Sequence, residues 1–227
     1  MTVRCIAFDL DDTLWECEPV ITRAEQACYA WLTTHYPCLK DHYSYSEFIA
    51  YRVHYAQAHP ELRHDLSQLR KAWLADLAQQ HQLNTDLVEP AFEAFYQARQ
   101  SVTLFPEVET ALYQLKTRYQ LGTITNGNAD MRRLSIGTLF DFHLSSAQAG
   151  VAKPHPDIFH QAAALVGVRA DEMVYIGDDL EKDILGPQMV GMKTIWFNPK
   201  QQPLPSAIKP DAIMINFAEL HKLIPLL

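Results

Sequence analysis

The most informative part of this sequence reads Val3-Arg4-Cys5-Ile6-Ala7-Phe8-Asp9-Leu10-Asp11-Asp12-Thr13-Leu14. Its apolar first half, short and rich in branched and aromatic residues, predicts a parallel strand that is buried on both faces. Ligands bind at the carboxyl ends of such strands in open α/β sheets. The three carboxylates that follow repel one another, so a buried cluster of them requires a neutralising cation. The stretch therefore predicts a metal site, with helix capping by Asp11 or Asp12 as the alternative.

The composition is that of a folded chain with a substantial core. Its 227 residues are 48% apolar and 20% charged, which predicts one or two ordered domains. A net charge of −8 without a basic run argues against nucleic-acid and acidic-membrane partners. The four cysteines form no CxxC pair and are expected to be reduced thiols of a cytoplasmic protein. Neither a signal peptide nor a transmembrane span is expected.

The region after the first strand changes to helical periodicity. From about Glu16 to Ser101 the apolar residues recur at helical spacing, which predicts four helices with short links. One of these helices should begin with the capping box Ser44-Tyr45-Ser46-Glu47 and end at Pro60, while Pro90 leaves the start of another uncertain. We therefore expect residues 16–101 to form an inserted helical bundle.

The rest of the chain alternates between strands and helices. Strands are predicted at Leu121–Ile124, Phe142–Leu144, Met173–Ile176, Thr194–Phe197 and Ala212–Ile215. Helices are predicted to open at Pro106, to cover about Ala129–Leu139 and Pro156–Val166, to include Pro187, and to end the chain. The helix with Pro187 should be kinked unless the proline lies in its first turn. The alternation predicts an α/β domain with a doubly wound parallel sheet, built from residues 1–15 and 102–227.

Polar motifs follow four of the predicted apolar runs. In chain order they are Asp9-x-Asp11-x-Thr13, Thr125-Asn126-Gly127, Lys153-Pro154 and Gly177-Asp178-Asp179 with Asp183. Together they supply a carboxylate nucleophile, hydroxyl and amide donors, a cation and a cage of acids. Phosphoryl transfer to water needs these groups, because charge on the phosphoryl group must be neutralised before an anion can approach phosphorus. Mg²⁺ is the ion that suits such oxygen ligands.

These motifs resemble those of a known family. Phe8–Leu14, Ile124–Asn128, Lys153-Pro154 and Gly177–Asp183 are similar to the four motifs of the haloacid dehalogenase superfamily of phosphatases, and the helical insert is at the position of its type 1 cap. The resemblance implies that Asp9 attacks phosphorus to form an aspartyl-phosphate. It also implies that Asp11 protonates the leaving alcohol and then deprotonates the attacking water.

The same resemblance implies ligand sets. The phosphoryl oxygens would be bound by Leu10, Asp11, Thr125, Asn126 and Lys153, with Lys153 also pairing with Asp9. The ligands of Mg²⁺ would be Asp9, the carbonyl of Asp11 and Asp178. Asp183 would orient waters or Lys153. Asp179 stands where relatives often have Ser or Asn, which leaves open which of Asp178, Asp179 and Asp183 binds the metal directly.

Asp11 bears on the type of substrate. Dehalogenases resemble this pattern but lack an acid two residues after the nucleophile, because halide leaves without a proton, so a phosphoester is expected here. Phosphomutases share all four motifs and stay an alternative. Residues flanking the motifs, such as Trp15 and Pro19–Arg23, resemble those of bacterial flavin mononucleotide phosphatases, which also dephosphorylate a ribitylaminouracil phosphate in riboflavin synthesis. Nucleotides and sugar phosphates are the alternative substrates.

Substrate choice is expected to depend on the insert and the loops facing it. Trp15 is predicted either to stack on a flat ring or to be a packing residue. Arg23 would contact a ribityl hydroxyl or a second anion, or be an exposed helix charge. Asn128 and His155 are candidate contacts beside the phosphate site, with an ordinary surface histidine as the alternative. A monomer or homodimer is expected, and a binding module without turnover is the alternative from another functional class.

Overall fold

The chain divides into two compact units. The computed structural model describes residues 2–227. One unit consists of Met1–Glu16 and Thr103–Leu227, and the other of Cys17–Val102. The second unit is therefore an insertion in the sequence of the first, directly after its first strand. That the inserted unit acts as a cap stays a prediction.

The first unit contains a six-stranded sheet in which all neighbouring strands are parallel. Its strands are β1 (Cys5–Phe8), β2 (Gln120–Thr125), β3 (Phe142–Ser145), β4 (Met173–Gly177), β5 (Lys193–Phe197) and β6 (Ala212–Met214). Their order is β3-β2-β1-β4-β5-β6, with helices on both sides of the sheet. The predicted doubly wound α/β fold is confirmed.

The order of the strands places three polar motifs at one edge of the sheet. The chain runs from β1 outward to β2 and β3, and then crosses to β4 on the other side of β1. Phe8, the last residue of β1, pairs with Thr123 of β2 and with Ile176 of β4. The residues that follow β1, β2 and β4 therefore meet at the point where the strand order reverses, which is the usual ligand position in open α/β sheets.

The second unit is helical, as its periodicity predicts, although it contains a four-residue helix in addition to the four that are expected. Its helices are α1 (Cys17–His35), α2 (Leu39–His42), α3 (Tyr45–Ala58), α4 (Leu66–Gln80) and α5 (Val88–Arg99). The predicted capping box is present: Ser44 and Glu47 bind each other's backbone N–H groups at the start of α3, which ends before Pro60. Pro90 is the third residue of α5, where a missing N–H costs no intrahelical hydrogen bond.

The helices of the first unit are shorter. They are α6 (Val108–Lys116), α7 (Ser146–Ala149), α8 (Pro156–Val166), α9 (Gly186–Met189) and α10 (Leu220–Leu223). Helix α8 has the predicted bounds. Its buried residues Ile158 and Phe159 belong to a cluster with Cys5 and Ala7 of β1 and Tyr175 of β4, so this helix covers one face of the central strands.

The helix predicted over Ala129–Leu139 is wrong. This segment contains two 3₁₀ turns, Met131–Arg133 and Gly137–Leu139, with the extended Leu134 between them. The first turn is capped locally, because the Asp130 carboxylate accepts the N–H of Arg132. The chain then folds back until Gly137 lies against the carbonyl of Met131, where a Cβ atom would come within 1.9 Å of the oxygen. Apolar spacing alone did not reveal this reversal.

Two proline positions also refine the prediction. Pro106 lies in a turn before α6 rather than at its first position, because Glu107 adopts a left-handed conformation (φ 62°) and the helix begins at Val108. Pro187 lies in the first turn of α9, which follows a π-helical segment, Leu180–Leu185. Leu185 and Gly186 are both helical, so the π-helical segment and α9 form one continuous helical run with Pro187 inside it, and the kink stays a prediction.

Two further expectations concern the thiols and the membrane. All four cysteines are free, and Cys5 and Cys28 are buried. Burial raises the pKa of both thiols to about 12, so they are inert packing groups. None of the helices in residues 2–227 combines the length and the apolar character needed to cross a lipid bilayer.

Candidate active site

Lys153 and Asp9 form a buried ion pair at the strand-order reversal. The N–H of Asp9 donates to the Ile176 carbonyl at 2.9 Å, which ties the residue after β1 to β4. The Lys153 ammonium donates to Asp9 Oδ1 and Asp183 Oδ1, both at 2.7 Å. Burial raises the pKa of Asp9 to about 8, helped by the charge of Asp183 and opposed by Lys153. A charged carboxylate that is buried at this position needs the compensating charge of Lys153.

Tyr175 is a site residue that the sequence analysis missed. Its hydroxyl accepts the third hydrogen bond of Lys153 Nζ at 2.8 Å and donates to the Ile124 carbonyl at 2.7 Å. An ammonium group has three donors, so the lysine is fully bonded in this structure. The available signal was a tyrosine in a fully apolar strand, since a buried phenol needs a hydrogen-bond partner.

Asn126 links the loops that follow β2 and precede α8. Its side chain donates to the Lys153 carbonyl at 2.9 Å and accepts the Lys153 N–H at 2.8 Å. Thr125 Oγ1 accepts the N–H of Gly127 at 2.9 Å, which shapes the turn. The amide side chain of Asn126 is thus used to hold the lysine loop, so a contact with a phosphoryl oxygen would come from its backbone N–H.

Three carboxylates gather beside the lysine. Asp9, Asp178 and Asp183 each offer an oxygen, and these oxygens lie within 4.8 Å of one another. Burial raises the pKa of Asp178 to about 7, with the negative charges of Asp183 and Asp12 adding to the effect. Lys153 balances only part of this charge. The acidic cluster Asp9–Asp178–Asp183 therefore fits a hard divalent cation such as Mg²⁺, which prefers carboxylate oxygens.

Asp178 is held from two sides by contacts that were not predicted. Thr13 Oγ1 donates to Asp178 Oδ1 at 3.2 Å. The indole N–H of Trp196, in β5, donates to the Asp178 carbonyl at 2.8 Å. The first contact orients the Asp178 carboxylate and the second fixes the Asp178 backbone, as outer groups commonly do at metal sites.

The π-helical segment returns Asp183 to the site. The N–H of Asp179 donates to Asp183 Oδ2 at 3.1 Å, and the N–H of Asp183 donates to the Asp179 carbonyl at 2.8 Å. At Gly177 a Cβ atom would lie 2.4 Å from Asp183 Oδ2. A glycine is therefore required at the end of β4 because the Asp183 carboxylate packs against its backbone.

The Asp179 carboxylate has a different role. It accepts the backbone N–H groups of Glu181 and Lys182 and pairs with the Lys182 ammonium. This is helix capping at the start of the π-helical segment. Of the three acids that the sequence left open, the structure brings Asp178 and Asp183 together with Asp9, and it turns Asp179 toward the helix.

Asp11 lies on a tight loop after β1. The N–H of Leu14 donates to the Leu10 carbonyl at 2.8 Å, and the N–H of Asp12 donates to the Trp15 carbonyl at 2.8 Å. Asp11 Oδ1 accepts the indole N–H of Trp15 at 2.9 Å. The Asp11 side chain is outside the acidic cluster, and its predicted metal contact through the carbonyl stays a prediction.

Comparison with known proteins identifies the family. The family model "haloacid dehalogenase-like hydrolase" matches residues 3–191. The chain belongs to this family. A 2-haloacid dehalogenase from Pseudomonas syringae pv. Tomato DC3000 has a similar structure, with a TM-score of 0.92, 34% identity and 99% of each chain covered. The fold and the motif resemblance seen in the sequence are thus confirmed.

Curated relatives of this haloacid dehalogenase-like hydrolase carry phosphatase names. The 5-amino-6-(5-phospho-D-ribitylamino)uracil phosphatase YigB of Escherichia coli (strain K12) is 28% identical, over 98% of this chain and 96% of its own length. A glyceraldehyde 3-phosphate phosphatase of Methanopyrus kandleri is 32% identical, over 85% and 83% respectively. The human N-acylneuraminate-9-phosphatase is 27% identical, over 98% and 94%.

The four residues predicted to contact the substrate of this hydrolase differ in burial and in their hydrogen bonds. Trp15 is fully buried, which favours the packing alternative over ring stacking. Arg23 is exposed and donates to the Ser101 carbonyl at 2.6 Å. His155 caps α8 by accepting the N–H of Asp157, and Asn128 is partly buried in the loop after β2. A substrate contact by any of them stays a prediction.

Proposed function

We propose that this protein is a Mg²⁺-dependent phosphomonoester hydrolase that works through an aspartyl-phosphate on Asp9. The observation that carries the proposal is the buried Asp9 carboxylate, bonded to Lys153 at 2.7 Å and within 4.8 Å of the oxygens of Asp178 and Asp183. A nucleophilic carboxylate beside a cation and a set of metal-ligand oxygens is suited to phosphoryl transfer. Membership of the hydrolase family and the phosphatase names of the relatives support it.

Asp9 and Lys153 carry out the first part of the reaction. Lys153 bonds Asp9 Oδ1, so Oδ2 is the oxygen that attacks phosphorus. The new bond joins Oδ2 to phosphorus, and the ester P–O bond breaks with its electron pair staying on the leaving oxygen. Bound at Asp9, Asp178 and the Asp11 carbonyl, Mg²⁺ would neutralise charge on the phosphoryl oxygens. Thr125 and the backbone of Asn126 are the proposed additional donors to those oxygens.

Asp11 carries the proton in both halves of the cycle. It gives a proton to the leaving alkoxide and later takes one from the water that attacks the aspartyl-phosphate, which releases phosphate and restores Asp9. This residue also favours a phosphatase over a dehalogenase, although the similar structure from Pseudomonas syringae is that of a 2-haloacid dehalogenase. Because a halide leaves without a proton, a dehalogenase does not need an acid at this position.

The substrate we propose is a small phosphorylated metabolite, with flavin mononucleotide or a ribitylaminouracil phosphate favoured. The similarity to YigB supports this choice because it extends over nearly the whole of both chains. Relatives named for glyceraldehyde 3-phosphate and N-acylneuraminate 9-phosphate keep other sugar phosphates as candidates. We propose that the inserted unit, Cys17–Val102, acts as the cap that selects among them.

The test is phosphate release from a panel that contains flavin mononucleotide, nucleotides, sugar phosphates and pyridoxal phosphate, with and without Mg²⁺. We expect turnover that requires Mg²⁺ and is lost in Asp9→Asn by at least about 10³-fold. Glu181→Gln is the control: this acid is exposed on the segment after β4, outside the acidic cluster, and should retain activity. Turnover by Asp9→Asn, or no hydrolysis of any ester by the wild type, would refute the proposal.

A further inference from the structure

Two histidines of the inserted unit, far apart in sequence, place their rings side by side. His42 is the last residue of α2, and His81 directly follows α4. Their ring centres lie 4.6 Å apart, and the ring planes are inclined by 45°. His42 is exposed and His81 is partly buried, so ions in solution can reach the pair.

The separation of the two rings fits imidazoles that bind one metal ion. An imidazole nitrogen lies about 2.0–2.1 Å from a bound Zn²⁺, which puts the ring centre about 3 Å from the ion. Two imidazoles at adjacent coordination positions therefore have ring centres about 4.5–5 Å apart. A different contact, stacking, is seen in the same unit between Trp31 and His35, whose rings are 4.1 Å apart and inclined by only 19°.

The His81 ring is held in place by a neighbouring hydroxyl. Its Nε2 lies 3.0 Å from the Tyr43 hydroxyl, which leaves Nδ1 as the nitrogen available to a metal. With Nδ1 bound to a metal, Nε2 carries the proton and donates it to Tyr43, an outer hydrogen bond that metal-bound imidazoles commonly make. Tyr43 is itself fixed, because its ring stacks on that of Tyr51 at 5.7 Å and its carbonyl accepts the Tyr29 hydroxyl at 2.8 Å.

We propose that His42 and His81 form a binding site for a divalent transition-metal ion that prefers imidazole ligands, a class that includes Ni²⁺, Cu²⁺ and Zn²⁺. Two protein ligands leave the other coordination positions to water. The site differs in chemistry from the acidic cluster, whose oxygens suit Mg²⁺. A bound ion would link the end of α2 to the end of α4. This inference is independent of the proposed phosphatase function.

The test is calorimetric titration of the whole protein with Ni²⁺, in a large excess of Mg²⁺ that competes for the acidic cluster. We expect one Ni²⁺ to bind per chain. Loss of an outer partner already costs about 10–100-fold in metal affinity, so the loss of a ligand in His42→Ala or in His81→Ala should weaken binding at least about tenfold. Mg²⁺ should not compete, because imidazole is a poor ligand for it.

Two variants serve as controls. His54→Ala removes an exposed histidine of α3, and Cys38→Ser removes the exposed thiol just before α2. Both should bind Ni²⁺ as the wild type does. The proposal would be overturned by a wild type that binds no Ni²⁺ in excess Mg²⁺, or by a control variant that loses as much affinity as His42→Ala.

A second measurement uses the wild type and so does not depend on how the variants fold. Ni²⁺ is paramagnetic and broadens the NMR signals of nuclei close to it. At less than one equivalent, it should broaden the ring signals of His42 and His81 before those of the other eight of the ten histidines. Broadening that begins at another histidine, or that affects all ten together, would contradict a site at this pair.

Discussion

At the residue scale, Tyr175 shows how a neutral group supports a charged one. Its hydroxyl lies between Lys153 Nζ and the Ile124 carbonyl, at 2.8 and 2.7 Å. Tyr175→Phe would leave one buried ammonium donor and one buried carbonyl without that partner. We expect the free energy of unfolding to fall by about 2 kcal/mol, measured by urea denaturation.

Tyr113→Phe is the matched control for this prediction. Tyr113 is 56% exposed, so the same loss of a hydroxyl should change the free energy of unfolding by less than about 0.5 kcal/mol. Equal values for the two variants would mean that the Tyr175 hydroxyl does not stabilise the lysine.

The sequence predicted the charged residues of the site better than the groups that hold them. Asp9, Lys153 and Asp178 were found because acids and a lysine after apolar strands are conspicuous, and strand ends meet at a predictable edge. The contacts that Thr13 and Trp196 make with Asp178 were not predicted, because they depend on side-chain packing across distant loops. Asp179 and Asp178, adjacent in sequence, could be separated only by the turn that directs one to the helix and the other to the cluster.

At the scale of the elements, a buried charge cluster ties together three helices of the inserted unit. Glu25 of α1 is bonded by both terminal nitrogens of Arg70 in α4, at 2.9 and 2.7 Å, and lies 2.9 Å from Arg52 Nε in α3. Glu25→Gln would leave the buried Arg70 and the partly exposed Arg52 without a compensating charge. We expect a loss of about 3 kcal/mol in the free energy of unfolding.

Glu89→Gln provides the comparison with an exposed pair. Glu89 binds Lys71 at 2.7 Å, but its side chain is 72% exposed, and such pairs contribute less than about 1 kcal/mol. The two variants should differ clearly in the urea concentration at the midpoint of unfolding. A similar small effect in both would show that water compensates the charges around Glu25.

Helix boundaries were predictable where one residue's chemistry decides them. The capping box at Ser44 and the proline and capping residue at the start of α8 act locally, so the sequence is sufficient. The prediction over Ala129–Leu139 was wrong because Asp130 and the close approach at Gly137 favour tight turns over the helix that apolar spacing suggested. In this segment the local hydrogen bond of Asp130 favours a turn more strongly than the apolar periodicity favours a helix.

At the scale of the whole molecule, the fold class followed from the alternation of strands and helices, but the convergence of the site required the strand order. Only the crossing from β3 to β4 shows that the ends of β1, β2 and β4 are adjacent. That arrangement brings together acids from positions 9, 178 and 183, and their mutual repulsion opposes folding. A cation that binds there should therefore stabilise the native chain.

We expect Mg²⁺ to raise the melting temperature of the wild-type protein. At a concentration about 100 times the dissociation constant, binding adds about 2.7 kcal/mol, which corresponds to a rise of about 5–10 °C for a chain of this size. Asp178→Asn removes one oxygen charge of the acidic cluster and should lose most of this rise. Glu181→Gln, an exposed acid on the same segment but outside the cluster, should keep it.

Comparing the wild type with Asp178→Asn and Glu181→Gln distinguishes a specific metal site from general screening of charge. Weak binding to the net charge of −8 would raise the melting temperature equally in the wild type, Asp178→Asn and Glu181→Gln, and K⁺ at matched ionic strength would reproduce it. Specific binding predicts that K⁺ has little effect, that a chelator reverses the rise, and that only Asp178→Asn is insensitive. An equal rise in all three proteins would contradict a metal site at the acidic cluster, because binding there requires the Asp178 carboxylate.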